Sequence, residues 1–182
     1  AMPNAVRIVM LRHPIDRARS VFQFLRRDTT QEDHVAACGS FGEYVTWALD
    51  TPGKGVAVRN YQTFHLSSAP LRRDNIQLNC TRDDLAEAED LLAALPAFGL
   101  VQHFAASCRL FEANYGSVVP ELRLYEVREN ASSEEARTEA DAVAAARQEL
   151  GEKIFTRLCD VNQFDLALYT RACLLFDHAC GR

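Results

Sequence analysis

The chain lacks most of the motifs that settle a function at sight. It holds no C-x-x-C, and no Cys/His group has the spacing of zinc ligands, which argues against a zinc ribbon or a thioredoxin-type redox centre. No G-x-x-x-x-G-K-[ST] occurs, so a P-loop kinase or ATPase is excluded. Apolar residues never run to the ~18–20 needed to cross a bilayer, and no secretory h-region opens the chain. Any membrane anchor or targeting signal of a parent protein is therefore expected to lie elsewhere. Positive charge is not in excess: the formal net charge is -5, so a broad nucleic-acid surface is not expected. There is no internal repeat and no long low-complexity linker.

What is present suits one globular domain over residues 1–182, with 48% hydrophobic and 25% charged residues. The charges are unevenly placed. Arg7, Arg12, Arg17, Arg19, Arg26 and Arg27 crowd the start, whereas acidic residues dominate Asp83 to Asp90 and Glu129 to Asp141. A local basic site on an acidic body fits a small anionic ligand better than a polymer; the plainer alternative is a set of solvated helix faces. Cys38 and Cys80 would be joined in a secreted protein or remain buried thiols in a cytosolic one. Sequons at Asn79 and Asn130 leave the compartment open, and the Ala- and Arg-rich composition favours a bacterial cytoplasm over a Golgi lumen. Ala1-Met2 reads as a cloning scar.

Hydrophobic periodicity predicts few strands and many helices. Val6 to Leu11 is a β-branched apolar run and reads as a buried strand. Pro14 suits the first turn of a helix over Ile15 to Arg26, with Ile15, Ala18, Val21, Phe22 and Leu25 on its apolar face. Ser40-x-x-Glu43 and Thr81-x-x-Asp84 are capping boxes that open further helices. A short helix is expected within Val58 to Leu66, a second strand at Phe98 to Val101, and a helix from Phe104 to Tyr115. Leu122 to Tyr125 reads as a third strand or an extended loop. Ser132 or Ser133 is expected to cap an acidic helix broken near Gly151, and Asp165 to Ala179 forms the last helix.

Arg12 lies just past the end of the first strand, where open α/β sheets place ligands. The helix after it offers free N–H groups and a partial positive charge, and a guanidinium matches phosphate oxygens. Ser20, one to two turns along, can add a hydroxyl. No glycine lies between Leu11 and Phe22, so this cradle is not a P-loop. The plainer readings are an ion pair of Arg12 with Asp16 and, for Ser20, a small residue on a helix face.

The run Val6-Arg7-Ile8-Val9-Met10-Leu11-Arg12-His13-Pro14-Ile15-Asp16-Arg17-Ala18-Arg19-Ser20-Val21-Phe22 resembles the strand–R-D-P-x-x-R-x-x-S–aromatic signature of sulfotransferases, nearest to the heparan sulfate and uronyl group. Phe41-Gly42-Glu43-Tyr44-Val45, Asn60-Tyr61-Gln62-Thr63-Phe64-His65-Leu66, Phe98 to Phe104 with Ser107, and Asn162-x-x-Asp165-Leu166-x-Leu168-Tyr169 are similar to later segments of that family, in its order. The resemblance implies an α/β, P-loop-like sulfotransferase fold, helix-rich with a small, mostly parallel sheet. It also implies that Arg12 and Ser20 hold the 3′-phosphate of 3′-phosphoadenosine 5′-phosphosulfate (PAPS) or of its product PAP, with a carbohydrate hydroxyl as acceptor and no metal.

Two departures bear on activity. His13 stands where the family usually has Asp, and only Ala1 to Ala5 precede the first strand, which leaves no room for the family's 5′-phosphosulfate loop. The usual catalytic base is expected in the same absent stretch, so no catalytic residue is assigned and the fold is expected to be incomplete and the chain inactive alone. A degenerate binding or scaffold domain is the competing expectation. A missing strand and helix would leave an open sheet edge, favouring self-association or strand exchange. Among other candidates, Asn60 and Gln62 read as braces for the nucleotide site, with sugar binding the alternative, and His65 as a helix residue, with a substitute base the alternative. Arg128 with Asn130 reads as loop, and His103 with Glu112 shows no common face.

Overall fold

The computed structural model describes residues 6–27, 38–72, 80–124 and 138–181. Strand β1 (Met10–Leu11) leads through Arg12 and His13 into α1 (Pro14–Arg27), with Pro14 as the first helical residue. Helix α2 (Phe41–Asp50) follows, then a 3-10 turn (Val56–Val58), α3 (Tyr61–Leu66), α4 (Ala69–Arg72) and α5 (Arg82–Ala94). Strand β2 (Gly99–Leu100) runs through a second 3-10 turn (Val101–His103) into α6 (Phe104–Tyr115). The chain closes with α7 (Glu139–Val161) and α8 (Gln163–Ala179).

Among the described residues the sheet has two parallel strands, with Met10 opposite Gly99 and Leu11 opposite Leu100. The apolar run from Val6 is therefore mostly not strand, and Ile8 is 53% exposed rather than buried. Pairing sets the limit: the chain after Leu100 turns at once into the 3-10 turn, so β1 has a partner for only two residues. Gly99 permits the close approach, because a Cβ there would lie 2.3 Å from the Met10 sulfur and 2.7 Å from Ser107 Cβ. The Ser107 hydroxyl accepts from Leu100 N–H at 2.9 Å, fixing α6 to β2.

Two large apolar clusters build most of the core among the described residues. One gathers Ile15, Ala18 and Phe22 of α1, Phe41, Tyr44, Val45 and Ala48 of α2, and Ala146, Leu150 and Leu158 of α7. The other joins Leu11 and Leu100 to Ala88 and Leu92 of α5 and to Leu168, Ala172 and Phe176 of α8. Each large side chain fully buried in them contributes about 1.5–3 kcal/mol. The helices start where capping chemistry says they should. Thr81 and Asp84 form the complete reciprocal box, while Ser40 accepts from Glu43 N–H and Glu43 reaches back to Gly39 instead.

The acidic helix is capped by Thr138, with Asp141 completing a box; Ser132 and Ser133 lie outside the described residues. Gly151 breaks this helix with φ +67°, a conformation that costs glycine little. Leu122 to Leu124 are not strand, and Leu124 N–H donates to the Glu112 carboxylate at 2.6 Å. Cys38, Cys80 and Cys108 are buried, and Cys159, Cys173 and Cys180 are partly buried. No described helix is long and apolar enough to cross a membrane.

Candidate anion site at the tip of the first strand

Arg12 sits between β1 and α1, and its main chain is held by one side chain. The Gln62 carboxamide accepts from Arg12 N–H at 2.9 Å and donates to the Arg12 carbonyl at 2.9 Å. This bidentate amide does for one residue what a neighbouring strand does for many. Gln62 is itself buried, at 7% exposure, and its position is set by a clasp between two distant segments.

That clasp consists of reciprocal helix caps. The Asp165 carboxylate accepts from the N–H groups of Gln62 (3.0 Å) and Thr63 (2.7 Å), in the first turn of α3. The Asn60 side-chain carbonyl accepts from Phe164 and Asp165 N–H, both at 3.1 Å, in the first turn of α8. Asn162 accepts from Asn60 N–H at 3.0 Å and donates to the carbonyls of Val58 (2.7 Å) and Leu158 (2.8 Å). Helix N-termini leave N–H groups without intrahelical partners, and here each helix supplies the other's acceptors. Asn60 adopts the left-handed region (φ 38°, ψ 37°), which Asn tolerates better than most residues. Asn60, through Oδ1, and Gln62, through its whole carboxamide, thus brace the strand tip.

The guanidinium of Arg12 is about a third exposed, at 32%, and its Nε donates to Asp16, whose side chain is 17% exposed. The ion pair that the i, i+4 spacing allowed is present. Among the described residues the two terminal nitrogens of Arg12 have no partner. Ser20 is half-buried on α1, four residues beyond Asp16, and its hydroxyl has no hydrogen-bond partner among the described residues. Arg12, Asp16 and Ser20 therefore mark one i, i+4 row along the start of α1, with Ser20 about 6 Å farther along the axis than Asp16.

His13 caps the same helix. Its Nδ1 accepts a long hydrogen bond from Ile15 N–H at 3.3 Å, which leaves the ring proton on Nε2. The ring meets Tyr169 edge-on with centroids 5.5 Å apart. Burial lowers the His13 pKa, opposed by the carboxylates of Glu139 and Asp16. The His13 side chain thus supplies an acceptor at the cap as long as it stays neutral. Tyr169 donates to Glu139 and accepts from Gln102, and its phenol is pushed well above the usual range, first by burial and then by the Glu139 hydrogen bond.

Beyond the basic run, Arg17 entered the sequence reading only as the second arginine of the R-D-P-x-x-R-x-x-S signature, with no role assigned. It points inward: its guanidinium lies 4.2 Å from the Tyr61 ring centroid and donates to the Ala57 carbonyl, while its buried Nε has no partner among the described residues. Burial lowers its pKa, and the nearby Asp165 charge opposes that. Its position one residue before buried Ala18, between the faces of Asp16 and Val21, was the available signal. The other candidates separate. His65 is exposed with its ring 4.2 Å from that of Tyr61, and burial, then the Arg17 charge, lower its pKa. His103 stacks on Phe176 at 5.7 Å while Glu112 binds Leu124 N–H, so the two share no task. Arg128 and Asn130 lie outside the described residues. Among the described residues no three His, Cys, Asp or Glu side chains gather as metal ligands.

Comparison with known proteins yields no match: no family model, no curated protein and no solved structure matches this chain.

Proposed function

We propose that the chain is a sulfotransferase-like domain that binds the 3′-phosphate of PAPS or PAP through Arg12 and Ser20. The observation that carries this reading is the Arg12–Asp16–Ser20 row. It offers a guanidinium with its main chain fixed by Gln62, its head already engaging an anionic oxygen, and a hydroxyl without a partner among the described residues one turn on. These donors fit a phosphomonoester. They would hold the 3′ end of the nucleotide, whose phosphosulfate supplies the group that moves to an acceptor. A carbohydrate hydroxyl is the acceptor we favour, on the resemblance of the strand–R-x-P-x-x-R-x-x-S run, and a bacterial cytoplasm the setting, on composition. The exposed Ile8 beside the short β1 supports association between copies through that edge.

One observation favours the scaffold reading as the second choice. The buried polar groups of Asn60, Gln62, Asn162 and Asp165 satisfy one another, so the clasp serves the fold whether or not a nucleotide binds. Isothermal titration with PAP separates the two. Saturable heat that Arg12→Gln abolishes supports the nucleotide site, whereas no heat at about millimolar ligand, a binding free energy weaker than about 4 kcal/mol, favours the scaffold.

A further inference from the structure

We infer that Asp16 governs the Arg12 site in two ways: its oxygen orients the guanidinium and its charge holds down the affinity for a phosphate. The inference rests on the anion-binding reading above. Orientation follows from which nitrogen is used. Asp16 takes Arg12 Nε, and Gln62 fixes the main chain from the other side, so the terminal nitrogens are the ones left facing outward. An arginine without such an acceptor must lose its rotamer freedom when the ligand arrives.

The charge acts the other way. Asp16 carries a full negative charge within contact of the same guanidinium that a dianionic phosphate needs, at a mostly buried position where screening is reduced. Its field also reaches His13 and Arg19, the other basic groups of this turn. Arg12 and Asp16 together are neutral, so much of the attraction that a lone Arg12 would exert on a phosphate is already spent inside the protein. A site built this way releases its nucleotide readily, which suits an exchangeable donor more than a permanently bound group.

Asparagine separates the two effects because it keeps an acceptor oxygen for Nε and removes the charge. Titration of the whole chain with PAP at low ionic strength is expected to show Asp16→Asn binding roughly three- to tenfold tighter than wild type. Asp16→Ala, which loses the orienting oxygen as well, is expected to gain less. In the Arg12→Gln background the Asp16→Asn gain should vanish. Circular dichroism checks each variant, and Asp16→Gln carries the same test should Asp16→Asn fail to fold. Wild type that binds while Asp16→Asn binds no tighter overturns the charge role and leaves the nucleotide site standing. Equal gains for Asn and Ala overturn the orienting role, and a gain that persists without Arg12 overturns the linkage between the two residues. No binding by any folded variant removes the nucleotide site and this inference together.

Discussion

Removing the Asp165 carboxylate should expose how much of the fold rests on the clasp behind Arg12. In Asp165→Ala the N–H groups of Gln62 and Thr63 lose their acceptor at a site that is 0% exposed. Each buried N–H left without a partner costs about 1–3 kcal/mol. The buried Arg17 guanidinium also loses the nearby charge that offsets its desolvation. Together these give a loss of roughly 3–5 kcal/mol, a large part of the ~5–15 kcal/mol that holds a typical domain. Asp165→Asn keeps one acceptor oxygen and should fall between, at about 1–3 kcal/mol. Urea unfolding followed by fluorescence reads this directly, because the single tryptophan, Trp47, packs against the first apolar cluster. The expected order is wild type, then Asn, then Ala. An Ala variant within about 0.5 kcal/mol of wild type would behave like a surface substitution and refute the reasoning.

Other outcomes follow from single contacts. Burial lowers the His13 pKa in the folded state, so its contribution to stability is complete above the unfolded value of about 6.5 and is lost as the pH falls below it through the lower folded value. His13→Asn keeps a capping oxygen without the titration, so urea midpoints of the two proteins should diverge between about pH 7.5 and about pH 5.5, with wild type losing more; parallel curves would exclude the neutral-cap role. Gly99→Ala must displace the Met10 sulfur and Ser107 and should cost about 1–3 kcal/mol in the same assay, while no loss would mean the strands part easily.

Local chemistry was legible and distant pairing was not. The helix start at Pro14, the cap at Ser40, the box at Thr81, the extent of Phe104 to Tyr115 and the break at Gly151 each depend on residues within a few positions of one another. The reach of β1 depends on a partner some ninety positions away that is itself only two residues long, and Val6 to Val9 carry no mark of that. The same holds for the clasp. Asn60, Gln62, Asn162 and Asp165 were visible as two separate segments, but their meeting spans 102 to 105 positions of sequence. The Arg12–Asp16 pair was readable from its spacing; that Gln62 would fix the Arg12 main chain, and that Arg17 would turn inward onto Tyr61, was not.

A crystal structure of the chain with PAP bound tests the central claim most directly. The 3′-phosphate oxygens are expected about 3 Å from a terminal nitrogen of Arg12 and from the Ser20 hydroxyl, with Gln62 still clasping the Arg12 main chain. Nucleotide density elsewhere on the surface, with the Arg12 terminal nitrogens and Ser20 untouched, would contradict it.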